Sequence, residues 1–420
     1  LRVLVIGAGL SGIASAWYLR GAGHDVTVIE RREGPGLETS FANGGLVVPS
    51  QPDPWNAPGI VAKLIRYLGK EDSPFLLRPA AIPGMIGWGI RFLRNSRPDA
   101  WRRNTLACVG LAQNSLVNLR QLRAQTGLDY PFGSNGTMKI FQDQSQIDAQ
   151  VAFARMIAPF GVPFAVLDRD AAVAREPALA QIAGRLAGSV LYPDDEYGDA
   201  RAFTAALATL SAAHGVTFRY DETVAGIETD GGTFAALRTD RGRIAGDALL
   251  VATAAWTPDL LSQLGLRIWI NPVKGYSASV PLDGWNGAPR MGIIDDRLKI
   301  AMAPFGGVLR IAGTAEFAGW RPEMNERRAR NVLATGTAVL PDLDGQAARH
   351  GVRFWTGLRP VTPDGSPCIG PTRVKGVFVN AGHGPLGWTF ACGGGKLAAD
   401  LISGTQPELD PAPFALARFS

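Results

Sequence analysis

The first thirty residues hold a strand, a glycine-lined turn, a helix and a second strand that ends in an acid. Residues 1–6 form a short apolar run, and Gly7, Gly9 and Gly12 follow at the spacing G-x-G-x-x-G. Gly7 lets the chain turn, Gly9 removes the side chain that would block a pyrophosphate, and Gly12 lets the next helix pack closely on the sheet. A helix over about 10–20 stops near Gly21 and Gly23, and residues 25–29 make the second strand. Glu30 then stands about twenty residues past the glycines, where a carboxylate accepts from a ribose hydroxyl and repels a 2′-phosphate. The first helix turn aims unpaired N–H groups at phosphates. The order predicts a dinucleotide site of non-NADP type, against the blander reading of an empty Rossmann-like turn.

A chain of 420 residues with 46% hydrophobic and 19% charged content is long enough for two domains and has the composition of an ordered protein. The net charge of +5 is modest, and there is no dense basic tract or zinc-finger spacing, so no nucleic acid is expected as partner. Cys108, Cys368 and Cys392 are scattered and form no C-x-x-C, which suits a reducing, cytoplasmic compartment. His24, His214, His350 and His383 form no compact ligand set, so no metal is expected. The first strand begins at residue 1, so no leader is expected, and no run reaches the length of a spanning helix. Residues 80–93 are apolar, glycine-rich and flanked by Arg78, Arg91, Arg94 and Arg97. With residues 60–68 they suit either a helix packed over a substrate domain or a helix lying peripherally on a lipid surface.

Helices are expected over 60–70, 85–94, 104–127, 145–160, 200–214, 325–340 and 393–402. Strands are expected over 136–141, 187–192, 217–220, 223–229, 233–239, 244–252, 274–280, 298–302, 308–314, 354–359 and 377–380. The expected fold class is α/β plus antiparallel sheet: a Rossmann-like dinucleotide-binding domain from 1–54, 186–269 and 341–420, interleaved with a second, substrate-binding α+β domain from 55–185 and 270–340. A nicotinamide dehydrogenase usually completes its cofactor domain in one run, whereas a flavin spans from the N-terminal turn to a C-terminal helix.

Thr39, Ser40, Asn43 and Gly44 supply hydroxyl, amide and flexible backbone groups beyond the second strand. Gly382, His383, Gly384, Leu386, Gly387, Trp388 and Thr389 form a second anchor between a strand and the last helix, where backbone can approach a flat ring. His383 is expected as a cofactor neighbour, not as a base. Leu10, Ser11, Arg31 and Val224 complete the expected cofactor contacts. Arg359 ends a predicted strand and suits a bidentate grip on a carboxylate; the plain alternative is a surface arginine paired to Asp364. Tyr276 is the second candidate catalytic residue, and Tyr192, Tyr197 and Arg310 are possible helpers.

These residues carry a resemblance across essentially the whole chain. Val5-Ile-Gly-Ala-Gly-Leu-Ser-Gly-Ile-Ala-Ser-Ala-Trp-Tyr-Leu19, Leu37-Glu-Thr-Ser-Phe-Ala-Asn-Gly44, Pro272-Val-Lys-Gly-Tyr-Ser277, Phe354-Trp-Thr-Gly-Leu-Arg-Pro-Val-Thr-Pro-Asp-Gly365 and Gly382-His-Gly-Pro-Leu-Gly-Trp-Thr-Phe-Ala-Cys-Gly393 resemble the bacterial FAD-dependent D-amino-acid dehydrogenases of the small-subunit type, in the D-amino-acid/glycine/sarcosine oxidoreductase superfamily. The resemblance implies FAD, a carboxylate-binding Arg359 and a flavin-side loop at His383 to Thr389. It implies hydride loss from Cα of a small anionic amino-acid substrate, with a 2-oxo acid and ammonia as products. It also implies a quinone or other respiratory electron acceptor and loose attachment to the inner face of the cytoplasmic membrane. Two alternatives stay open: a D-proline or cis-hydroxyproline dehydrogenase that yields a cyclic imine, and a flavin-bearing electron-transfer subunit without turnover. The oligomeric state stays open as well.

Two positions depart from that pattern. The third strand's usual Ala-Thr-Gly turn reads Ala252-Thr-Ala254, so the backbone there is expected to avoid a glycine-only geometry. Relatives that attach flavin covalently use a cysteine near the Gly-Leu-Arg-Pro position, whereas Cys368 stands nine residues past Arg359. FAD is therefore expected to be noncovalent: acid or heat should release all yellow colour into the supernatant, and colour retained on the denatured chain would show the opposite.

Overall fold

The computed structural model describes residues 1–67 and 70–419. The end of the helix predicted over 60–70 touches Leu68 and Gly69, which lie outside the described residues, as does Ser420.

Six strands form a sheet in the order Thr217–Arg219, Asp25–Ile29, Arg2–Ile6, Ala248–Val251, Val377–Ala381 and Cys368–Pro371. The first five run parallel and the last antiparallel. Val3, Val5, Val26 and Val28 face one side, where the helices Leu10–Gly21, Pro98–Thr126, Ala200–Ala213 and Ala391–Ser403 pack. Leu4, Ile6, Leu249 and Val251 face the other, under a three-stranded meander that contributes Phe234 and Leu237. A parallel strand buried on both faces has to read as an unbroken apolar run, which is how 1–6 and 248–252 read.

Close helix packing joins the two ends of the chain. A Cβ at Gly395 would stand 2.8 Å from the Ala14 backbone of the first helix, and one at Gly393 would stand 2.9 Å from the Leu111 oxygen of the helix Pro98–Thr126. Small residues at those crossings bring the glycine turn at 7–12 beside the loop at 382–389.

The second, larger sheet has nine strands. Its main path runs Arg353–Val361, Asn271–Pro281, Val308–Phe317, Ile300–Phe305, Gly292–Asp295, Thr137–Phe141, Gly188–Tyr192 and Ala165–Asp168, and Phe75–Leu77 pairs beside Val308–Phe317. The helices Glu326–Val339 and Leu343–His350 cover one face through Val332, Val339 and Leu343, packed on Tyr276, Ile311 and Leu309.

The fold class is as expected, with three shifts in which part of the chain joins which sheet. Strands Gly188–Tyr192 and Arg353–Val361, placed at the ends of the 186–269 and 341–420 cofactor segments, belong to the large sheet. The helix expected over 104–127 begins at Pro98, where a first-turn proline loses no hydrogen bond, and ends at the left-handed Gly127. It packs on the nucleotide half through Cys108, Leu111, Leu116 and Leu119, beside the last helix, and reaches the substrate half through Val109, which joins Phe141, Ile147 and Val190. Local pattern sets that such a helix buries one face, but not against what.

Ala254 also departs from expectation. It does not avoid the left-handed region but sits there, at φ 49°. Alanine tolerates this at a cost of roughly 1–2 kcal/mol, so the turn after the strand keeps the path a glycine would give it.

Candidate functional site

A cavity of about 860 Å³ lies between the two sheets, within the size range of small-molecule sites. Of the expected cofactor residues, Gly9, Leu10, Ser11, Thr39, Ser40, Asn43, Gly44, His383, Gly384, Leu386, Gly387, Trp388 and Thr389 line it. Residues from opposite ends of the chain thus share one wall. Gly7 and Gly12 build the turn beneath: Gly7 has φ 104°, a Cβ on it would lie 2.6 Å from the Ala252 oxygen, and one on Gly12 would fall on the Gly7 oxygen. Gly382, at φ 81°, faces Thr362.

Glu30, Arg31 and Val224 lie outside the cavity wall. The Glu30 carboxylate accepts from Ala8 N–H at 2.8 Å and Arg32 N–H at 2.9 Å, which fixes it at the end of its strand beside the glycine turn. Arg31 pairs with Glu38 at 2.6 Å and stacks 4.1 Å over Trp256. Val224 opens the first strand of the meander and is half-buried.

His383 is buried, and its Nε2–H donates to Asn380 Oδ1 at 2.9 Å. Its Nδ1 faces the Ser11 hydroxyl at 3.4 Å. Asn380 in turn donates to Ser15 at 3.0 Å, so a polar chain ties the loop to the first helix. Burial holds the imidazole down at about 4, so it is neutral at neutral pH, which agrees with a structural neighbour and not a base.

Arg359 lines the cavity and is half-buried. Its Nη1 donates to the Thr314 carbonyl at 2.7 Å, and the Trp55 ring centre is 5.8 Å away. Burial alone lowers its guanidinium to about 10, and among the described residues no carboxylate pairs with it. The alternative partner Asp364 is taken by Arg418 at 2.7 Å. Arg359 is thus a desolvated cation in the cavity wall that no carboxylate pairs with among the described residues.

Tyr276 contributes to the cavity wall, but its hydroxyl is turned away from it. Strand Asn271–Pro281 pairs in register with Arg353–Val361, Val273 opposite Arg359 and Tyr276 opposite Thr356. Side chains alternate along a strand, so Tyr276 falls on the face opposite Arg359. Its hydroxyl donates to Glu316, which also pairs with Arg78 at 2.8 Å. That buried network props the sheet from behind, and the phenol is raised by burial first and by Glu316 second. Tyr192 accepts from Gln150 at 2.7 Å and Tyr197 donates to Asn135 at 2.6 Å, both away from Arg359. Arg310 donates to the Asn43 carbonyl at 2.9 Å and steadies the 39–44 loop.

Several residues of the site went unread in the sequence: Gln51, Asp53, Trp55, Gly275, Thr314 and Trp355, all in the cavity wall. For Gly275 a signal existed, because a glycine inside a strand marks close approach of another group. Here the group is the Arg359 guanidinium, which occupies the place a Gly275 Cβ would take.

The wall suits a flavin dinucleotide. Gly9 caps the first helix without a side-chain bond, leaving its positive end for phosphate. Gln51 Nε2 and Trp388 Nε1 are buried donors on wall residues and have no hydrogen-bond partner among the described residues. The family of FAD dependent oxidoreductases matches residues 2–401. The chain belongs to that family. Its cofactor is accordingly FAD. Curated relatives include D-amino acid dehydrogenases of Granulibacter bethesdensis, 40% identical over 420 residues with all of both chains covered, and of Methylobacterium nodulans, 42% identical, covering 100% of this chain and 99% of that one. The fold is shared with glycine oxidase from Geobacillus kaustophilus, at TM-score 0.77, 24% identity and 99% of each chain. It is shared too with L-proline dehydrogenase from P. horikoshii, at 0.79, 19% identity, covering 100% of this chain and 97% of that one. Among the described residues no three or more His, Cys, Asp or Glu side chains gather as a metal site.

Gly275→Ala tests the packing beneath Arg359. Alanine favours the strand, so the fold and FAD content should hold while KM for the amino-acid substrate rises about 10-fold through a displaced guanidinium. A wild-type KM would remove Gly275 from the site.

Proposed function

We propose that the protein is a D-amino-acid dehydrogenase that oxidises its substrate at Cα to an imino acid, which water hydrolyses to a 2-oxo acid and ammonia. The unpaired, desolvated Arg359 carries this reading. An isolated buried cation is unfavourable, and a carboxylate held by paired hydrogen bonds offsets that cost. With Nη1 on the Thr314 carbonyl, the other guanidinium nitrogens are left for the ligand.

FAD, when bound, supplies the two-electron acceptor. Gly9, Leu10, Ser11 and Ser40 would hold its diphosphate, Glu30 its ribose, and the Gly384 to Thr389 loop its ring. The positive end of the helix Ala391–Ser403 follows that loop and favours negative charge developing there. Trp55, Trp355 and Ile60 give the cavity an apolar wall that keeps water off the reacting carbon. With His383 neutral and engaged, the substrate amine sheds its proton before the chemical step, and positioning supplies most of the acceleration. Tyr276 acts only by stiffening the strand beneath Gly275.

Anaerobic mixing with D-alanine should bleach the flavin, with ammonia released and slow recovery in air. Turnover of D-proline without ammonia would favour the cyclic-imine reading, and no bleaching with either would leave the electron-transfer reading. Arg359→Ala should raise KM about 100-fold, the cost of leaving a buried charge unmatched. An unchanged KM would refute its role.

The electron acceptor in this reading is a membrane quinone. The helix Ile82–Arg94 buries Trp88 and Phe92 over the cavity wall, and Trp88 Nε1 donates to the Val361 carbonyl at 2.9 Å. Its outer face shows Ile82, Ile86, Ile90 and Leu93, exposed by 41%, 57%, 48% and 46%. Residues 73–98 contain four arginines and no acid. That face suits an anionic lipid surface; among the described residues no helix is long and apolar enough to cross one. Co-sedimentation with vesicles of anionic lipid should be lost in an Ile86→Asp, Ile90→Asp double variant that keeps full activity with a soluble dye. Equal sedimentation of both proteins would reject the face.

A further inference from the structure

Strands Asn271–Pro281 and Val308–Phe317 run antiparallel with a break in register. Lys274 faces Glu316 and Tyr276 faces Gly313, so the single residue Gly275 stands against two, Thr314 and Ala315. This is a β-bulge, a device that re-aims backbone groups beside functional sites. At its centre Thr314 has φ 59°. Left-handed backbone is uncommon for any side chain but glycine and a true outlier for a β-branched one. The neighbours over-determine it: Ala315 N–H donates to the Pro74 carbonyl at 2.7 Å, and Ala315 pairs with Phe75 in the added strand. Both Pro74 and Phe75 line the cavity.

The Thr314 carbonyl accepts from Arg359 Nη1 at 2.7 Å, and among the described residues it is the one hydrogen-bond partner of that guanidinium. The Thr314 hydroxyl, by contrast, is buried and has no hydrogen-bond partner among the described residues, so no side-chain hydrogen bond repays its conformation. Strain retained at a position whose carbonyl alone is used points to the backbone path as the functional element.

We propose that Thr314 is a positioning residue for amino-acid binding. Its left-handed bulge turns the carbonyl onto one edge of the Arg359 guanidinium and leaves the other edge free for the substrate carboxylate. The proposal rests on the carboxylate-binding reading of Arg359. Because the backbone conformation does the work, the outcome of a substitution depends on whether the new residue accepts a positive φ, not on its polarity.

Thr314→Pro fixes φ near −65° and must swing the carbonyl away. In the FAD-loaded enzyme it should raise KM for D-alanine at least 10-fold while kcat at saturation stays within about threefold. Thr314→Gly takes the left-handed path freely and is the rescue: KM within about threefold of wild type, with a higher Tm from relieved strain. A wild-type KM in the proline variant, or a 10-fold rise in the glycine variant, overturns the proposal, the latter by assigning the role to the hydroxyl. The glycine result decides the matter if the proline variant fails to fold. Arg359→Ala is measured alongside: a wild-type KM there means that the Arg359 reading itself has failed. A raised KM there with none in Thr314→Pro sinks only the role of Thr314.

Discussion

An arginine held without a paired carboxylate organises this site, and much of the surrounding structure serves to keep it so. Arg359 is desolvated enough to lower its guanidinium to about 10, and Asp364, the partner that its place in the sequence offers, is bound by Arg418. Glu316, the carboxylate behind the same sheet, is occupied by Tyr276 and Arg78 on the far face. Gly275 leaves the space in which the guanidinium lies, and the Thr314 carbonyl sets its rotation. Satisfying a cation with one neutral acceptor leaves it available to a carboxylate that arrives from solution, at a cost in stability that the fold bears elsewhere.

The cofactor side depends on a different constraint, close approach of helices. Gly395 against Ala14 and Gly393 against Leu111 leave no room for a Cβ. They lock the first and last helices together so that segments nearly four hundred residues apart form one wall. The hydrogen-bonded chain from Ser15 through Asn380 to His383 and Ser11 runs along this seam. A buried, neutral His383 therefore reads as part of the seam, where exchange of an ionised group would cost more than it returned. Left-handed backbone at residues other than glycine falls on the cavity wall at Ala254, Lys299 and Thr314, and away from it at Asp221.

Much of the nucleotide half was legible because its signals are local. The turn at 7–12 is written in glycine spacing, and the parallel strands in apolar runs. Arg359 was legible as a strand-end arginine, but its decisive property, the lack of a partner, was not. That the Tyr276 hydroxyl goes to Glu316 was not legible for a reason of parity: one residue along a strand changes the face, and pattern alone gives no register between strands. Val224 and Arg31 were named for the cofactor, and the structure places both outside the cavity wall. The helix Pro98–Thr126 is legible as a helix, but not that it joins both halves, since amphipathicity tells which face is buried and not which partner buries it.

By itself the sequence determined the dinucleotide turn, the interleaving of two domains and the chemistry of the candidate side chains, because each is encoded in residues a few positions apart or in resemblance along the whole chain. Only the tertiary structure decided which sheet claims each strand and where the bulge opposite Gly275 falls. It also decided that Arg359 stands unpaired, because these depend on register and burial, which arise when distant segments exclude water from one another.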